Sequence, residues 1–122
     1  MEKLYEQVQE YLNMDEEIDF KEFRSFYQEV ISHLDSDTEQ FNEDEIWKGL
    51  FVVESIMSNA ENRAKTSKNA AEPKKYKKMA QRTKLYAQNF TKRLHQLGYT
   101  QEQIGEKFEQ MLEEGAKEEV EE

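Results

Sequence analysis

Cysteine is absent from this 122-residue chain, proline occurs once, glycine four times and histidine twice. Without Cys there are no disulfides, thiolate zinc sites or thiol nucleophiles, a usage that suits a reducing compartment. One Pro and four Gly supply too little turn chemistry for an array of short strands. No apolar run approaches the ~20 residues that span a bilayer. The opening Met1-Glu2-Lys3-Leu4-Tyr5-Glu6 lacks the basic and apolar stretches of a signal peptide. A cytoplasmic protein is the expectation.

Catalytic and metal-site motifs are equally scarce. There is no Gly-rich phosphate loop, HExxH or GxSxG motif. Neither His33 nor His95 has an acid three residues before it, so the ExxH pairs of di-iron bundles are missing. The run Glu43-Asp44-Glu45 is explained by the helix dipole, which favours acids in a first turn. No catalysis, cofactor or metal is expected.

Large apolar anchors are present in quantity. Six Tyr, seven Phe and one Trp offset a mean hydropathy of −1.07, which alone would suit a disordered chain. A chain of this size buries roughly two thirds of its unfolded surface, enough for a core without metal or disulfide. One helical domain over 1–114 is expected, with 115–122 as an acidic, disordered tail.

Three places repeat one local design: a capping residue three before Glu or Gln, an apolar residue just before the cap and another four after it. They are Ile18-Asp19…Glu22-Phe23, Phe41-Asn42…Glu45-Ile46 and Tyr99-Thr100…Gln103-Ile104. This is a capping box with a hydrophobic staple, which satisfies free N–H groups and fixes how the chain enters a helix. Helical spacing of apolar residues predicts helices over about 2–12 and 20–34, a third that starts at Glu43 and reads through Met57, and two more over about 73–97 and 101–113. Thr66 to Glu72 is the expected break, Pro73 suits a first helical turn, and Gly98 suits a left-handed stop. The predicted architecture is all-α: an antiparallel bundle of four main helices plus a short C-terminal one. Apolar residues spill round the third helix, predicting a central element or an interface. Gly49 within it suggests a close helix crossing, and Trp47 reads as core.

Charge is sorted along the chain. Residues 1–62 carry seventeen acids and four bases; residues 63–93 carry eleven bases and one acid, Glu72; residues 94–122 carry nine acids and two bases. Within the basic block, Arg63, Lys65 and Lys68 read as loop residues. On the fourth helix, Lys74, Lys77, Lys78, Arg82, Lys84 and Lys92 fall opposite the Tyr76–Phe90–Leu94 stripe, with Leu85, Gln81, Gln88 and Asn89 among them. The leading expectation is that acidic helices neutralise this face within the fold or across a dimer. Left free, it would bind an acidic protein surface or the phosphate backbone of a nucleic acid. A membrane surface fits poorly, because the apolar stripe holds two Tyr, a Thr and two Ala.

Two short resemblances stop early. Asn13, Asp15, Asp19 and Glu22, with Ile18, resemble the end of an EF-hand loop, but Tyr11 and Glu16 stand at the first ligand and the glycine turn. Leu97 to Phe108 is similar to the first helix of repressor-type helix-turn-helix domains, but the acidic stretch that follows contains no basic recognition helix. The sequence therefore points to a non-catalytic protein-interaction or regulatory module, plausible as a homodimer, with nucleic-acid binding through 63–93 as the alternative.

Overall fold

The computed structural model describes the backbone of residues 1–14 and 16–121 and the side chains of residues 1–14 and 16–114. It is all-α: α1 (Glu2–Leu12), α2 (Phe20–Asp37), α3 (Glu43–Thr66), α4 (Glu72–Gln96) and α5 (Gln101–Glu121), with a 3-10 turn at Thr38–Gln40. Among the described residues there is no strand, and no helix is long and apolar enough to cross a membrane.

All three capping residues do their work. Asn42 accepts from the Glu45 N–H at 2.9 Å and Glu45 reaches back to the Asn42 N–H at 3.2 Å. Thr100 and Gln103 make the same reciprocal pair. Asp19 accepts from the Glu22 N–H at 2.8 Å. The Glu22 carboxylate engages the Tyr11 hydroxyl, and burial together with this hydrogen bond pushes that phenol up. At the end of α4, Gly98 takes φ 104°, its N–H bonds the His95 carbonyl and the Tyr99 N–H bonds the Leu94 carbonyl. That double closure is a Schellman stop, open here because glycine has no Cβ to clash.

Three helix ends lie further along the chain than predicted, those of α2, α3 and α5. α2 continues to Asp37 although Asp, Ser and Thr are weak helix formers, because Asp35 is held from outside by Arg82 and Tyr86 and the Thr38 hydroxyl bonds the Leu34 carbonyl. α3 runs to Thr66, so Arg63 and Lys65 are helical and only Lys68 of that trio lies in the connection. The α5 backbone extends to Glu121, while the acidic tail foreseen at 115–122 lies outside the described side chains.

α3 is the axis of the core. Leu50, Phe51, Val52 and Val53 are consecutive and all buried, so the helix is covered on every side. Edge-to-face rings tie α1 to it through Tyr5–Phe51 and to α2 through Tyr11–Phe26, while Phe51–Phe108 joins α5. α4 runs antiparallel to α3, since Arg63 meets Tyr76 near the connecting loop and Gly49 meets Phe90 at the far end. The foreseen close crossing is there: a Cβ built on Gly49 would stand 3.1 Å from two atoms of the Phe90 ring. Trp47 is buried edge-on to Tyr99, as a core residue.

Candidate binding face of α4

α4 divides its residues cleanly. Met79, Ala80, Thr83, Ala87, Phe90 and Leu94 are buried, and the Thr83 hydroxyl, wholly enclosed, donates back to the Met79 and Ala80 carbonyls. On the opposite side Lys74, Lys77, Lys78, Arg82, Lys84, Leu85 and Lys92 are all exposed. Leu85 is 65% exposed, the most open large apolar side chain described. From Lys74 to Lys92 the row is about 27 Å long at 1.5 Å per residue.

Neutralisation within the fold was expected for this row, and it occurs at one residue. One terminal nitrogen of Arg82 reaches both Asp35 oxygens, at 3.0 and 3.1 Å. The Tyr86 hydroxyl donates to the same carboxylate and, with Arg82, holds Asp35 below the usual carboxylate range against the opposing effect of desolvation. Among the described residues, no carboxylate lies within 4.0 Å of Lys74, Lys77, Lys78, Lys84 or Lys92. The physical reason is placement. Many acids gather elsewhere, around a groove of about 660 Å³ lined in part by Glu2, Glu6, Glu43, Asp44 and Glu106. Lys48 bridges Glu2 and Asp44 there, and the hydrogen bond to Glu2 pushes its ammonium up.

Two grooves flank the basic row. One, of about 590 Å³, is lined by Thr38, Glu39, Tyr86, Asn89 and Arg93 together with Arg82 and Leu85. The other, of about 640 Å³, lies between α3 and α4 and holds Glu54 and Met57 beside Lys84 and Lys92. Burial and then the nearby Glu61 push the Glu54 carboxyl above its ordinary value.

Arg63, foreseen as a loop base, is instead 7% exposed inside α3. Its guanidinium donates to Asn59 at 2.6 Å, to the Tyr76 hydroxyl at 3.3 Å and to the Ile18 carbonyl at 2.8 Å. It also lies over the Phe23 ring, 4.5 Å from the centroid. One sign was available in the sequence: Ile56, Ala60 and Arg63 continue the apolar stripe of α3 at i, i+4 and i+7.

The remaining motif residues have local partners. Asp19 caps α2, the Asn13 amide donates to the Gln9 carbonyl, and Asp15 lies outside the described residues. His95 sits within reach of the Tyr99 carbonyl, and His33 lies 3.3 Å from Asp37. Comparison with family models, with curated proteins and with solved structures finds no match to this chain.

Proposed function

We propose that this chain is a non-catalytic binding module that offers the basic face of α4 to an acidic protein surface. One observation carries the reading: five lysines without a carboxylate partner surround an exposed Leu85 on one side of one helix. Solvated lysines need no partner for stability, but an exposed Leu among them offers a partner an apolar contact beside the charges. The flanking grooves give an acidic helix or loop somewhere to seat.

Symmetric self-association through this face is disfavoured, because it would set two basic rows against each other. Nucleic acid is the second reading, favoured by the amides Gln81, Gln88 and Asn89 interleaved with the bases. The net charge of −10 weighs against it, since a long polyanion meets the acidic helices as well as the basic row.

The test keeps Arg82, which is tied to Asp35, and changes Lys74, Lys78 and Lys84 to Glu, with Leu85→Asp as a second variant. Crosslinking of the full chain in its host cells, followed by purification of the captured protein, is expected to give a partner with an acidic contact surface. Both variants are expected to lose that partner without a change in melting temperature. If instead the wild type retards DNA or RNA at low salt, with affinity falling steeply as salt rises, the nucleic-acid reading replaces this one. Variants that lose stability in parallel with binding would show the face to be internal.

A further inference from the structure

A cavity of about 220 Å³ opens beside α1 and the α1–α2 connection, with Arg63 among its lining residues and none of the α4 lysines. Val8, Tyr11, Phe26 and Ile56 supply its apolar sides, and Leu12 and Met14, both exposed, stand among its lining residues. We propose that this cavity binds a small carboxylate with an apolar body, the carboxylate going to Arg63.

Three observations converge on that ligand. A guanidinium has five N–H donors, and three of them are engaged by Asn59, Tyr76 and Ile18, all uncharged acceptors. Among the described residues no carboxylate lies within 4.0 Å of Arg63, so the described partners of this buried cation are all uncharged. Burying a charge without a counter-charge is costly, and an entering carboxylate would meet a charge-assisted donor in a poorly solvated wall. The rest of the lining is mostly apolar, which calls for a hydrocarbon body on the ligand.

Size and charge narrow the class. About 220 Å³ is below the range of drug-sized pockets and equals roughly seven water volumes, room for a branched chain or a single ring. Glu16 and Glu17 also line the cavity; their charge opposes a doubly charged phosphate more than a single carboxylate. Arg63 additionally steadies the α1–α2 connection through the Ile18 carbonyl, a structural duty that ligand binding would not disturb.

The test is a titration of the isotope-labelled full chain with 4-methylpentanoate at neutral pH, followed by NMR. Its amide, 4-methylpentanamide, has the same shape without the charge, and inorganic phosphate has the charge without the body. Saturable shifts are expected at the terminal N–H groups of the Arg63 guanidinium and at the methyl groups of Leu12, Met14 and Ile56. The amide is expected to bind at least ~10-fold more weakly, the worth of one charge-assisted hydrogen bond. Because Arg63→Gln could unfold the chain, Ser55→Leu serves as the control variant. Ser55 lines the cavity without bonding Arg63, so filling it is expected to abolish the shifts in a folded protein. Equal binding of the amide, shifts confined to α4, persistence in the Ser55→Leu variant, or no saturation at millimolar probe would each overturn the proposal. None of these outcomes bears on the α4 face, which is tested separately.

Discussion

Arg63 and Arg82 come from one run of positive charge and end in opposite situations. Arg63 is enclosed, held by a carbonyl, an amide oxygen, a phenol and an aromatic ring. Arg82 is exposed and sits on a carboxylate. A rule that pairs buried charge with opposite charge, and leaves surface charge to water, would have assigned them the other way round. The difference teaches that the inner seam of α3 and α4 is built from neutral hydrogen-bond acceptors and rings, which place a guanidinium by shape. Its outer side is governed by solvated charge, where individual ion pairs contribute little.

Breaking this contrast begins with Arg63→Met, which keeps much of the length and removes the donors. Three acceptors lose a charged partner at once, so a loss of about 2–4 kcal/mol is expected in urea unfolding. A silent Arg63→Met would erase the distinction from the outer face. Gly49→Ala tests the same seam at its other end. Alanine gains helix propensity, but its Cβ must displace the buried Phe90 ring, so a net loss of about 1–2 kcal/mol is expected. Combining it with Phe90→Leu should cost less than the two single losses added, the mark of residues in contact.

The smallest expected effect belongs to the outer ion pair and shows best as a pH dependence. Asp35 has a folded-state pKa below its ordinary value, through the Tyr86 hydrogen bond and Arg82. Its contribution is therefore complete above the unfolded value of about 4 and is lost as pH falls through the depressed one. Asp35→Asn should lower stability slightly at neutral pH and flatten the acid limb of the stability curve. An unchanged acid limb would mean that the pair is not populated in solution.

Much of the fold was legible because its boundaries are set by local chemistry. Asp19, Asn42, Thr100 and Gly98 act within a few residues of themselves, and Gly49 advertised a close approach by costing helix propensity for no local reason. The last turn of α2 was not legible, because Asp35 gains its support from Arg82 and Tyr86, some fifty residues away. Charge balance along the chain located the basic face on α4 but could not say which acids would reach it. Arg63 was hidden by its own charge: counted with the block, it looked like surface, although its register on α3 placed it with Ile56 and Ala60.

The seam between α3 and α4 also orders events in time. Arg63 and Tyr76 are 13 residues apart, whereas the Gln9–Met111 contact between α1 and α5 joins residues 102 apart. Closing the longer loop directly costs about 2 kcal/mol more in chain entropy than closing the shorter. The hairpin is therefore expected to zip from residues 67–71 outward, with the two terminal helices sealing onto it later. On that route the enclosed arginine, beside the zipper's first tooth, is among the earliest tertiary contacts the folding chain can make.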